Sequence, residues 1–168
     1  MLKRALESTI HQVSQTFPVL LLTGPRQVGK TTLLRHMTGV GRGYVSLDDL
    51  DARLLARSDP ALFLQRYQPP VIIDEIQYAP NLFGEIKRWV DDHSQNGSFW
   101  LTGSQKFHLM RSVMESLAGR VAILELNGFS LAEIAEQTEY SRLFLPDQTW
   151  LLQARTKPHS ILDVNALY

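Results

Sequence analysis

The feature that most constrains this chain is a glycine-rich segment, Gly24–Thr31, with the pattern G-x-x-x-x-G-K-T. Its glycines permit backbone conformations that turn successive N–H groups into one concavity, which suits the phosphates of a nucleotide. The pattern is the phosphate-binding P-loop, also called Walker A. The candidate cofactor-binding residues are Gly24, Pro25, Arg26, Gln27, Val28, Gly29, Lys30, Thr31 and Thr32.

The segments on either side of the motif have the order that a P-loop requires. The apolar residues 18–23 are typical of a buried parallel strand, and residues 32–37 predict a helix that ends near Gly39. The N-terminus of that helix adds unpaired N–H groups and the positive end of its dipole. We therefore expect Lys30 to reach the β- and γ-phosphates and the Thr31 hydroxyl to ligate Mg²⁺.

A second diagnostic segment is Val71–Glu75, an apolar strand that ends in Asp-Glu, as in the Walker B pattern. Asp74 is expected to hold Mg²⁺, largely through water, opposite Thr31. Glu75 can orient and polarise the water that attacks the γ-phosphate. Asp-Glu after a strand is a weak signal by itself. It becomes stronger downstream of a P-loop, because the carboxyl ends of the two parallel strands must then face one nucleotide. The adjacent Glu75 favours ATPases that activate water over P-loop kinases.

Four polar positions each keep two interpretations. Asp48 and Asp49 follow the strand predicted at residues 44–47; one of them can cap a helix and the other can touch a metal-bound water. Ser104 is either a sensor that hydrogen-bonds the γ-phosphate or the attacking water, or the N-cap of the following helix. Arg120 is either an arginine finger that reaches a neighbour's nucleotide or a surface arginine paired with an acid.

Six segments form a joint pattern that extends over most of the chain. They are GPRQVGKTT at 24–32, YVSLDD at 44–49, VIIDEIQY at 71–78, WLTGSQ at 100–105, LAGRV at 117–121 and NGFSLAEI at 127–134. Together they resemble the prokaryotic AAA-type P-loop ATPases, a family of ATP-binding proteins. The resemblance runs from about residue 1 to residue 135.

The resemblance implies an α/β fold of the P-loop NTPase type, in its ASCE/AAA form. Its sheet would be doubly wound, parallel and five-stranded, with the order 5-1-4-3-2. ATP and Mg²⁺ would be the cofactors. The implied site residues are Lys30, Glu75, Ser104 and Arg120 for catalysis, with Arg120 as a candidate finger, and Thr31 and Asp74 for the metal; Gln105 is the alternative to Ser104 near the γ-phosphate.

Composition limits the classes of partner. Lysine plus arginine equal aspartate plus glutamate at 17 each, so net charge does not indicate a nucleic-acid partner. The chain has no cysteine, which excludes disulfides and thiolate chemistry. No apolar run approaches the ~20 residues of a membrane span, and no secretory signal is recognised at the N-terminus. We expect a cytoplasmic protein without a membrane partner.

The same patterns predict how the chain is organised. Residues 1–136 would form the ATPase core, and residues 137–168 a poorly defined tail with no motif. Members of the family usually continue well beyond this point, so we expect a fragment, a truncated gene or a divergent short form. The expected function is ATP–Mg²⁺ binding with ATP hydrolysis. The alternative is a nucleotide-dependent switch or interaction module with little turnover, which acts on a protein partner or within a homo-oligomer.

Overall fold

Helices separate the strands in the computed structural model, which describes residues 2–39, 41–104, 113 and 115–136. The strands are β1 (Val19–Thr23), β2 (Gly43–Ser46), β3 (Val71–Asp74), β4 (Phe99–Thr102) and β5 (Val121–Glu125). The helices are α1 (Leu6–Thr16), α2 (Lys30–Met37), α3 (Leu50–Ser58), α4 (Pro60–Arg66), α5 (Leu82–His93) and α6 (Leu131–Ile134). The expectations for Gln105 and for residues 137–168 lie outside the described residues.

The five strands form one parallel sheet in the order β2-β3-β4-β1-β5. This is the expected order 5-1-4-3-2 read from the opposite edge, so the prediction is confirmed. Strand β4 lies between β1, which leads into the P-loop, and β3, which ends at Asp74. Since all strands run the same way, the P-loop and the acidic end of β3 meet at one edge of the sheet.

The strand side chains alternate between two hydrophobic clusters, one on each face of the sheet. Leu20 and Leu22 of β1 face a cluster with α1 and α2, which contribute Ile10 and Leu33. The other face packs against α3, α4 and α5; its members include Val19, Leu21, Ile73, Leu101, Ala56, Phe63 and Ile86. Because helices cover both faces, β1, β3 and β4 are buried along their whole length, which explains their apolar runs.

The starts of several helices follow local capping signals. The Asp49 side chain accepts a hydrogen bond of 2.9 Å from the Ala52 N–H and caps α3. Asp59 caps α4 in the same way, with Pro60 at the first helical position. A capping box between Ser130 and Glu133 is formed in full at the start of α6. Among the described helices, none is long and apolar enough to cross a membrane.

Gly97 is a backbone position where the fold depends on glycine. It has a φ of 68°, and a Cβ atom there would lie 2.8 Å from the Ser14 carbonyl oxygen. Gly84, inside α5, offers the matched control, because an added Cβ meets nothing within 4 Å among the described residues.

We expect Gly97→Ala to lower the free energy of unfolding by about 1–3 kcal/mol, since alanine must adopt a strained backbone next to a carbonyl. Gly84→Ala is expected to raise it by about 1 kcal/mol, because alanine is the better helix former. Urea denaturation of both variants measures the two effects. A Gly97→Ala protein as stable as the parent would contradict the packing described here.

Candidate functional site

The P-loop connects β1 to α2 through backbone conformations that favour glycine. Gly24 has a φ of 139° and Gly29 a φ of 88°. A Cβ at Gly24 would lie 2.1 Å from the carbonyl oxygen of Leu126, in the segment that follows β5. At Gly29, by contrast, nothing in the described structure lies within 4 Å of an added Cβ. Gly24 is therefore required by a close approach as well as by its backbone angle, and Gly29 by its angle alone.

A cleft of about 490 Å³ opens beside this loop at the carboxyl edge of the sheet. Its lining residues are Arg26, Gln27, Gly29, Lys30, Thr31, Thr32, Asp48, Glu75 and Tyr78. Most of the loop residues singled out in the sequence thus share one cavity with Glu75. Asp48 lines it too, whereas Asp49 is occupied in capping α3.

Lys30 is the first residue of α2 and only 6 % exposed. Its Nζ atom donates hydrogen bonds to the carbonyl oxygens of Gly24, at 3.0 Å, and Pro25, at 2.7 Å. Both acceptors are neutral, so they hold the ammonium group in place without cancelling its charge. A cation fixed at a helix N-terminus is a favourable environment for a phosphate.

Asp74 ends β3 and accepts hydrogen bonds from three hydroxyl groups. Thr31 Oγ1 donates to Oδ1 at 2.6 Å, and Thr102 Oγ1 donates to the same oxygen. Tyr44 donates to Oδ2 at 3.3 Å. Burial first, and the Asp74 carboxylate second, raise the pKa of the Tyr44 hydroxyl, which favours its role as a donor.

The pairing of Thr31 with Asp74 fits a magnesium ion. Mg²⁺ prefers oxygen ligands and is usually bound by one or two protein groups together with waters and substrate phosphates. A hydroxyl and a carboxylate lie side by side here, next to the P-loop. In the described part of the chain, no group of three or more His, Cys, Asp or Glu side chains could hold a metal ion. Thr31 and Asp74 could therefore supply only part of the ligands of a magnesium ion.

Glu75 follows β3 in a left-handed conformation, with a φ of 58°. Its N–H donates to Thr102 Oγ1 at 3.1 Å, and its carboxylate accepts a hydrogen bond from Gln77 Nε2. The two adjacent acids consequently have different surroundings. Asp74 is 6 % exposed among hydroxyl groups, and Glu75 lines the open cleft.

Sequence reasoning expects a sensor within residues 102–105 but does not single out Thr102 as a partner of Asp74, and it missed Tyr44 and Gln77. The implied strand order places the strand that ends at Thr102 beside the strand that ends at Asp74, and in the structure Ile73 pairs with Leu101. The next residue of each strand is then Asp74 and Thr102. Tyr44 and Gln77 have no comparable pattern, since their hydrogen bonds to the two acids depend on side-chain direction.

Ser104 and Arg120 do not join the acidic pair through any hydrogen bond in the described structure. Ser104 follows β4, and its buried Oγ has no hydrogen-bond partner among the described residues. Arg120 precedes β5, and its carbonyl accepts a hydrogen bond from the N–H of Val19, the first residue of β1. It therefore lies at the amino ends of the strands, whereas the P-loop follows the carboxyl end of β1. Its guanidinium pairs with Asp91 at 2.5 and 3.1 Å. A finger role for Arg120 would thus require a neighbouring molecule.

A buried ion pair between Arg4 and Glu133 contacts the P-loop at the Val28 carbonyl. Arg4 is 4 % exposed, and its Nε donates to Glu133 Oε1 at 3.0 Å. Its other guanidinium nitrogens donate to the carbonyl oxygens of Val28, in the P-loop, at 3.2 Å and of Asn127 at 2.6 Å. One side chain therefore joins the N-terminal segment, the P-loop and the segment that leads into α6.

The charge of Glu133 is stabilised by this environment. Burial alone would raise the pKa of the Glu133 carboxyl, but the N–H groups of Ser130 and Ala5 and the Arg4 guanidinium together hold it below its ordinary value. A carboxyl whose pKa is depressed by folding stabilises the protein above its unfolded pKa. That contribution disappears as the pH falls through the folded value.

We expect Glu133→Gln to lower the free energy of unfolding by about 3 kcal/mol at pH 7, because it leaves Arg4 buried without its counter-ion. The deficit should shrink as the pH falls below about 4.5, the ordinary pKa of the group, because the unfolded chain then binds the proton while folded Glu133 stays ionised to a lower pH. Urea denaturation at pH 7 and at lower pH measures the gap. Glu85→Gln, which removes a more exposed pair with Arg88, is the control and should cost under ~1 kcal/mol. A pH-independent deficit would contradict this account.

The sheet order, the P-loop after β1 and the acidic end of β3 define an AAA-type P-loop NTPase domain. Residues 16–135 match the model of a protein family described as an AAA domain. The chain belongs to this family, whose fold supports an ATPase-like, nucleotide-binding function.

Two relatives come from mycobacteria. They are uncharacterised proteins of Mycobacterium bovis and Mycobacterium tuberculosis, each 34 % identical over 152 residues. The match covers 89 % of this chain and 32 % of each relative. The chain thus spans about one third of the length of these curated relatives.

Similar solved structures include two of Pif1 helicases and one of yeast RIF2. A structure of Pif1 helicases on forked DNA is 14 % identical, with a TM-score of 0.44, over 77 % of this chain and 44 % of that one. Bacteroides Pif1 bound to single-stranded DNA is 16 % identical, with a TM-score of 0.45, over 77 % of this chain and 42 % of that one. Saccharomyces cerevisiae RIF2 is 12 % identical, with a TM-score of 0.47, over 89 % of this chain and 65 % of that one. Family membership rests on the sequence match.

Proposed function

We propose that this chain is the ATP–Mg²⁺-binding domain of an AAA-type ATPase and that it hydrolyses ATP to ADP and phosphate. The observation that supports the proposal is the single cleft shared by the P-loop and Glu75, next to the Thr31–Asp74 pair. A core of residues 1–136 and a cytoplasmic location remain predictions.

Binding would use the loop and the start of α2. The N–H groups around Gly29 and the Lys30 ammonium would bind the β- and γ-phosphates, with Lys30 exchanging its carbonyl partners for phosphate oxygens. Thr31 and Asp74 would hold Mg²⁺, directly or through water. The ion supplies positive charge that stabilises the phosphate oxygens during transfer.

Hydrolysis would depend on Glu75. Its carboxylate orients a water in the cleft and accepts a proton as the water oxygen attacks the γ-phosphorus. The bond from that phosphorus to the bridging oxygen breaks, and ADP leaves. Ser104 remains a candidate for contact with the γ-phosphate, and Arg120 a candidate finger in a homo-oligomer.

Nucleotide binding is tested first. We expect Lys30→Ala to weaken ATP binding about 10- to 100-fold in calorimetry, because it removes charge-assisted hydrogen bonds to phosphate. Lys87→Ala, on the exposed side of α5, is the control and should bind as the parent does. Unchanged affinity in Lys30→Ala would overturn the proposed phosphate site.

Turnover is tested with Glu75→Gln. Loss of the proton acceptor is expected to slow phosphate release about 10²- to 10⁴-fold while ATP affinity stays within about twofold. Glu85→Gln again serves as control and should hydrolyse ATP normally. If the parent already releases phosphate as slowly as Glu75→Gln, the chain is the alternative nucleotide-dependent switch.

A further inference from the structure

The 3₁₀ turn that follows Glu75 directs a side-chain amide back onto that residue. Residues Ile76–Tyr78 form this turn, and the Tyr78 N–H donates to the Glu75 carbonyl at 3.1 Å. Ile76 and Ala79 are fully buried and anchor the turn on the core. Gln77, between them, donates from Nε2 to Glu75 Oε2. A rigid turn thus supplies the donor.

The orientation of the Gln77 amide follows from its partner. An ionised carboxylate only accepts hydrogen bonds, so the NH₂ group faces Glu75. The Gln77 Oε1 atom is then buried without a hydrogen-bond partner in the described part of the chain. An unpaired buried acceptor is unfavourable for folding. The bond to Glu75 is therefore the hydrogen bond that the Gln77 amide makes within the described residues.

Glu75 is also fixed through its backbone. Its φ of 58° is a conformation that residues with side chains seldom adopt, and its N–H is held by Thr102. The main chain and the carboxylate are thus held by different neighbours, Thr102 from β4 and Gln77 from the turn. The bond to Gln77 engages Oε2 and leaves Oε1 to act on a water.

We propose that Gln77 is the positioning residue for Glu75, holding Oε2 so that Oε1 faces the attacking water. The inference rests on the proposed ATPase function and deepens it. Gln77 itself is not among the residues that line the cleft. Its removal should therefore affect the rate of hydrolysis and leave ATP binding unchanged.

The first test is Gln77→Leu, which keeps much of the side-chain volume and removes the donor. We expect kcat for ATP hydrolysis to fall about tenfold or more, with the ATP affinity in calorimetry within about twofold of the parent. Gln65→Leu, at an exposed position of α4, is the matched control and should hydrolyse ATP at the parental rate. A parental kcat in Gln77→Leu overturns the inference.

The second test, Gln77→Glu, separates positioning from a structural role. It keeps the side-chain size but places an acceptor where the amide donates to Glu75. We expect kcat to fall about tenfold or more, as in Gln77→Leu, while the KM for ATP stays within about twofold of the parent. If the parent does not hydrolyse ATP at all, the proposed function fails and the inference fails with it; a parental kcat in either Gln77 variant rejects the inference alone.

Discussion

The candidate site depends on the hydrogen bonds that surround the Asp74 carboxylate. It is almost buried, and a buried charge is costly unless hydrogen bonds surround it. The hydroxyls of Thr31, in α2, and Thr102, in β4, meet this need. These bonds link the P-loop helix and the ends of two neighbouring strands around one buried acid.

Arg4 likewise links several segments through hydrogen bonds, here around the P-loop carbonyl of Val28. Its guanidinium satisfies carbonyl groups of the loop and of the segment after β5, and its charge is balanced by Glu133. Glu133 has two functions at once, since its Oε2 accepts from the Ser130 N–H to complete the capping box of α6. A local helix signal and a long-range ion pair thus share one side chain, and α6 is coupled to the nucleotide loop despite its short length.

Local patterns predicted much of this protein because several elements are determined by a few adjacent residues. The P-loop with its following helix and the acidic end of β3 were predicted in this way, and each pattern needs fewer than ten or so residues. The sheet order came from the family resemblance, since no local pattern encodes which strands pair. Tyr44 and Arg4 were missed, and the bond of Thr102 to Asp74 was not predicted, because these roles arise from partners brought together by strand register and by long-range packing of the chain. Arg120 kept two interpretations, and the structure pairs it with Asp91 within the domain.

The close approach at Gly24 shows that a signature motif can be constrained from two directions. The Leu126 carbonyl lies where a side chain of residue 24 would begin, and the Leu126 N–H in turn bonds to the Thr23 carbonyl. The main chain at Leu126 therefore packs directly against the P-loop at Gly24, next to the Asn127 carbonyl that accepts a hydrogen bond from Arg4. A larger residue at 24 would clash with this carbonyl, where the chain leaves β5. Variation at Gly24 thus probes the packing of the loop against this segment, while variation at Gly29 probes the conformation of the loop alone.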